Sequence, residues 1–141
     1  MRISLTYPQN EVIRQYLDSR DLVLIFPIPN GIFCTFSDGK AVEGLVILRN
    51  GEVFFASQEE FPIEIGTVPL TPAQSRVLKE HLQTQELLAV IIRPESIYCT
   101  FTGNGYAVEL VTIKRDGSVP EYDYYTVTEE EAEELDPKLY P

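Results

Sequence analysis

Basic residues are scarce in this chain and nowhere clustered. Eleven Lys and Arg face 22 Asp and Glu, a formal net charge of −11. Phosphate recognition needs grouped cations that release counterions, so nucleic acid is not an expected partner. An anionic membrane surface is disfavoured on the same ground. Long apolar runs are missing too. The best stretch, Leu22–Ile28, is broken by Pro27 and followed by Pro29, far short of the ~20 apolar residues that span a bilayer. The opening MRISLTYPQN lacks the charged-then-apolar pattern of a leader. These absences together predict a cytoplasmic protein with no membrane contact.

Histidine occurs once, at His81, and cysteine twice, at Cys34 and Cys99. One histidine without spaced Cys/His companions does not make a zinc site, so no metal is expected. Two cysteines without a spacing motif suit a reducing compartment better than a disulfide scaffold. No P-loop, GxGxxG, GxSxG, HExxH or paired CxxC motif is present, which argues against those classes of enzyme and the cofactors they hold. The acidic residues do not follow the calcium-loop pattern either.

What the chain has in abundance is itself. IFCTF at 32–36 returns as IYCTF at 97–101. A shift of 65 pairs Thr6 with Thr71, Ile13 with Leu78, Leu17 with Leu82, Leu22 with Leu87 and Pro29 with Pro94. After one inserted residue near Gly103–Gly105 the shift becomes 66. It then pairs Ala41-Val42-Glu43 with Ala107-Val108-Glu109, and Arg49-Asn50-Gly51 with Arg115-Asp116-Gly117. Such a match reads as an internal duplication. The expected product is a single domain, 1–141, of two pseudo-twofold related repeats, about 6–57 and 71–127. An irregular connector, 58–70, joins them, with an edge strand expected around 63–68.

Each repeat opens with T-x-x-Q, Thr6 to Gln9 and Thr71 to Gln74, the signature of a capping box. Pro72 suits a first helical position. Pro8 disfavours a helical Tyr7 and makes Asn10 an alternative cap. Val12, Ile13, Tyr16 and Leu17 form an apolar helical stripe, repeated as Val77, Leu78, His81 and Leu82. β-rich runs follow at 22–28, 31–36, 41–48 and 52–57, then at 87–93, 96–101, 106–114 and 118–127. Asn50-Gly51 and Asp116-Gly117 predict two-residue type I′ hairpins. A helix followed by an antiparallel meander, twice, is an α+β fold. Thr128 to Glu131 opens a short, acidic C-terminal helix, 128–136.

Strand alternation puts Ile32, Cys34 and Phe36 on one face, and Ile97, Cys99 and Phe101 on the equivalent one. Each thiol then lies between large apolar neighbours and is expected to be an inert core group. His81 sits where the first repeat has Tyr16, a packing position. Glu43 and Glu109 fall on the apolar faces of their strands. Two such carboxylates near a symmetry axis would make an acid–base pair or the polar floor of a ligand cleft; strand ends reached by water are the simpler account.

Residues 116–141 carry nine carboxylates against Lys138, a net of −8, whereas the preceding 115 residues net only −3. Within the acidic end, Tyr122, Tyr124 and Tyr125 combine apolar area with hydroxyls, as interface residues do. Glu129 and Glu130 beside them would steer a basic protein partner. The expected function is therefore a non-catalytic protein-interaction module: an adaptor, chaperone or inhibitor. The alternatives are a ligand-binding or enzymatic domain with its cleft at Glu43 and Glu109, or a structural subunit of an assembly. In outline alone, the helix-plus-meander plan with acidic charge resembles type III secretion chaperones, and duplicated helix–sheet halves resemble the TATA-binding fold. The acidic balance argues against DNA binding by this chain, and fold does not fix function.

Overall fold

The computed structural model describes residues 2–61, 67–103 and 107–126. The elements run β1 (Arg2–Ser4), α1 (Tyr7–Leu17), β2 (Asp21–Ile28), β3 (Gly31–Ser37), β4 (Val42–Leu48) and β5 (Val53–Phe55). A 3-10 turn (Gln58–Glu60) follows, then α2 (Pro72–Leu82), β6 (Glu86–Ile92), β7 (Ser96–Thr102), β8 (Ala107–Lys114) and β9 (Glu121–Thr126). The fold is α+β. One antiparallel sheet has the order β2-β3-β4-β5, the other β1-β6-β7-β8-β9. The expected C-terminal helix, 128–136, lies outside the described residues, as does most of the expected strand at 63–68.

Both helices start at the threonines of the two T-x-x-Q signatures. Thr6 and Thr71 accept from the backbone N–H of Gln9 and Gln74, whose side chains return the bond to the threonine amides. Asn10 is therefore not a cap: Pro8 is accommodated within the first helical turn, where no intrahelical amide is needed. The caps also tie each helix to its own sheet. The Thr6 hydroxyl donates to the Arg49 carbonyl and Gln9 Nε2 to that of Ile47. Thr71 and Gln74 do the same to Arg115 and Ile113.

The hairpins after β4 and β8 differ from the expected type I′. The Gly51 amide donates to Leu48 O at 2.8 Å and the Leu48 amide to Glu52 O at 2.9 Å. Only Gly51, at φ 91°, has positive φ in that turn; Asn50 does not. This is a type I turn closed by a glycine bulge. Lys114, Gly117 (φ 86°) and Ser118 repeat it.

Further ties run between the two helix–meander units. β1 precedes α1 yet pairs with β6, Ile3 opposite Val90. Each first meander strand carries one extra residue, Val23 in β2 and Leu88 in β6, where the ladder register shifts. The carbonyls of these bulged residues accept from the opposite unit: Leu70 N–H to Val23 O at 2.7 Å, and Leu5 N–H to Leu88 O at 3.0 Å. The Asn10 carboxamide brackets Leu87, accepting its N–H at 2.6 Å and donating to its carbonyl at 2.9 Å. At the equivalent position, Ser75 Oγ accepts the Leu22 N–H at 2.8 Å. Late in each helix a cation crosses over. Arg14 Nε donates to Leu82 O at 2.6 Å, and Lys79 Nζ to Asp18 O at 3.1 Å. Both complement the negative C-terminal end of the other helix.

A single apolar cluster fills the space that results. It takes Leu5, Ile13, Leu22, Ile32, Phe36 and Ile47 from one unit, and Leu70, Leu78, Leu87, Ile97, Phe101 and Ile113 from the other. Each is the partner of its counterpart under the sequence shift.

The two outer sheet faces part company. Phe33 and Thr35, on the outer face of β3, are buried, because residues 56–61 fold back over them. The Phe61 ring lies tilted against Phe33 with centroids 5.0 Å apart, and Ala56 packs in the same small cluster as Phe26, Phe33 and Val46. Gly44 permits the approach: a Cβ there would stand 2.2 Å from the Ala56 carbonyl oxygen. The other unit has Leu110 at that place, 39% exposed, and Tyr98 beside it at 43%. Gly44→Ala is expected to destabilise the fold by about 1–3 kcal/mol through overpacking, and Leu110→Ala by less than about 0.5 kcal/mol. Urea denaturation of the two variants checks both.

Candidate functional site

The apolar surface of the described residues is concentrated at the far edge of the four-stranded sheet. β5 is an edge strand of three residues, Val53-Phe54-Phe55, paired to β4 by Leu45 opposite Phe55 and Val46 opposite Phe54. Phe54 is 52% exposed, Phe55 69% and Val42, near the start of β4, 64%. A groove of about 810 Å³ lies alongside, lined by Thr35, Val42, Gly44 and residues 56–59. Its floor contains a buried polar group: the Thr35 Oγ1 has no hydrogen-bond partner among the described residues.

Among the described residues the five-stranded sheet ends on one side at β9, whose backbone sets Tyr122 opposite Val111, Tyr124 opposite Glu109 and Tyr125 opposite Val108. The tyrosine segment is thus an edge strand, while Glu129 and Glu130 lie outside the described residues.

Glu43 and Glu109 occupy equivalent places with different neighbours. Glu43 Oε2 is 3.3 Å from Arg20 Nε, and the Arg20 guanidinium lies 5.2 Å from the centre of the Tyr16 ring, which packs on Phe36. Glu109 Oε2 is 3.8 Å from His81 Nδ1. The His81 ring stacks on Phe101 at 4.6 Å and 12°, and its Nδ1 lies 2.9 Å from Gln85 Oε1. So His81 and Tyr16 play matching packing roles. Each carboxylate is engaged within its own unit, and no ion pair or hydrogen bond joins Glu43 to Glu109.

A cleft between the units does exist, about 450 Å³, walled by residues 17–21 and 37–39 on one side and Ser75, Arg76 and Lys79 on the other. Arg20 links it to Glu43, which does not itself line it. Its charges are balanced: Arg20, Arg76 and Lys79 face Asp18, Asp21 and Asp38. Asp38 is held below the usual carboxylate range by the backbone amides of Ala41 and Lys40.

Cys34 and Cys99 are free and buried. Burial pushes both thiols well above the ordinary cysteine range, away from the reactive thiolate. Neither is expected to react with Ellman's reagent within an hour in buffer, and both should react at once in 6 M guanidinium, roughly as other buried thiols do. No group of three or more His, Cys, Asp or Glu suited to a metal ion occurs among the described residues. No helix among them is long and apolar enough to cross a membrane.

Sequence reasoning missed Phe54, Phe55, Val42 and Thr35. The exposed apolar pair Phe54-Phe55, on a run flanked by Gly51 and Ser57, was the available signal. Compared with known proteins, the chain matches no family model, no curated protein and no solved structure.

Proposed function

We propose that this chain is a non-catalytic protein-interaction module of the cytoplasm, acting as an adaptor, chaperone or inhibitor. The observation that supports this reading is the pair of exposed phenylalanines, Phe54 and Phe55, one on each face of a sheet edge that no strand covers among the described residues. Exposed edges are normally shortened, charged or covered, because they invite pairing. Large aromatics left on such an edge are accounted for by a partner. The tyrosine-bearing edge β9, with the acidic residues that follow it in sequence, offers a second contact strip. Pairwise matching of core positions and reciprocal hydrogen bonds supports an origin by internal duplication.

The test is an affinity capture of tagged protein from its native lysate at low and high salt, read by mass spectrometry. A salt-sensitive, stoichiometric partner is expected. The double variant Phe54→Asp/Phe55→Asp should lose at least about tenfold of it, in line with hot-spot energetics. Absence of a specific partner at either salt would remove the reading.

The inter-unit cleft favours a second reading, a small-molecule site. Asp38→Asn with Arg76→Ala, two charged groups of the cleft wall, separates the two: the cleft reading requires loss of ligand-induced thermal stabilisation, the interaction reading leaves partner capture unchanged.

A further inference from the structure

The ladder between β4 and β5 determines which backbone groups of β5 remain available. Leu48 N–H bonds Glu52 O, and Ala56 N–H bonds Gly44 O, with Phe54 opposite Val46 between them. Strand alternation then turns the N–H and C=O of Val53 and Phe55 outward. No strand pairs with that side among the described residues. An incoming strand would meet the two exposed phenylalanines, Phe54 on the face of Val46 and Phe55 on that of Leu45.

Charge selects the occupant. Residues 50–61 include Glu52, Glu59 and Glu60, all exposed, and no basic residue. Lys40, in the turn before Val42, does not line the groove. A second copy of a chain with net charge −11 would be repelled. A lysine or arginine side chain suits the site. It donates to a carboxylate, and its charge is attracted to aromatic faces.

Building on the interaction-module reading, we infer that β5 is a strand-addition site for an extended, basic polypeptide segment. The incoming backbone pairs with Val53 and Phe55, and its basic side chains meet the exposed carboxylates of residues 50–61 and the rings of Phe54 and Phe55. Main-chain bonds supply the affinity, and the carboxylates and rings supply the choice of side chain.

The experiment titrates the ¹⁵N-labelled full chain with a peptide of alternating valine and lysine, and with its valine–glutamate counterpart. Saturable amide shifts at Val53 and Phe55 are expected with the first peptide, and at least tenfold weaker binding with the second. Phe55→Pro removes an outward N–H at a position where an edge strand tolerates proline, and should abolish binding. Phe55→Ala, which keeps the N–H, should weaken it only a few-fold. Unchanged binding by Phe55→Pro, equal binding of the acidic peptide, or no saturable shift overturns the inference. Shifts confined to residues 121–126 overturn it while leaving the interaction reading intact, with β9 as its site. Failure of both peptides together with an empty affinity capture removes both.

Discussion

Asn10→Leu is expected to lower the free energy of unfolding by about 3–4 kcal/mol, an effect outside the usual range for a single substitution. The Asn10 carboxamide behaves as an inserted peptide group. It accepts the Leu87 N–H and donates to the Leu87 carbonyl, in a site with no exposure to water. Leucine fills a similar volume and supplies neither bond, so a buried donor and a buried acceptor lose their partners together. The Thr6 carbonyl, which Asn10 Nδ2 also reaches, keeps the helical bond from the Asn10 backbone amide at 3.0 Å and is not stranded. The counterpart Ser75→Ala removes one acceptor, from the Leu22 N–H alone, and should cost about 1–2 kcal/mol. Urea denaturation at unchanged m-value measures both. Equal costs for the two variants would contradict the assignment of a two-sided role to Asn10.

Neither unit is expected to fold when separated. Residues 1–61 and 67–141, made as two polypeptides, should each lack a cooperative thermal transition, and an equimolar mixture should recover one. β1 would be left without β6, Leu5 without Leu88 O, and Arg14 without the end of α2. Each fragment would also expose its half of the shared apolar cluster. A chain of about 60 residues is marginal even with a complete core of its own, and here that core is divided. Circular dichroism melts of the fragments, alone and mixed, decide the matter. A cooperative transition in either one alone would show that the cross-unit ties are dispensable.

The reasons some features were legible in the sequence are physical. Capping boxes, helical stripes and hairpin glycines act over four to eight residues, so Thr6, Thr71, Gly51 and Gly117 announce themselves. Burial of Cys34 and Cys99 followed from alternation within one strand. What escaped depended on partners far along the chain. β1 is three residues long and acquires meaning only beside β6. Asn10 looks like a helix cap until Leu87, 77 positions away, is placed against it. The type I turn with a glycine bulge was mistaken for type I′ because both use Asn-Gly. Glu43 and Glu109 match in sequence, but Arg20 stands beside the first and His81 beside the second. The β5 edge was invisible because a strand reads the same whether or not anything lies beyond it.

The exchange of bonds between the units also sets a schedule for the nascent chain. Synthesis proceeds from the N-terminus, and a domain generally folds as a unit. Here the first helix and its meander leave the ribosome complete in themselves, yet with the Asn10 carboxamide, the Leu5 amide and all of β1 waiting for residues 87–91. The first unit therefore spends the interval in which the second is translated with its apolar face open. Commitment to the native state comes late, when α2 and β6 emerge, and any factor that guards this protein during translation has that window in which to act.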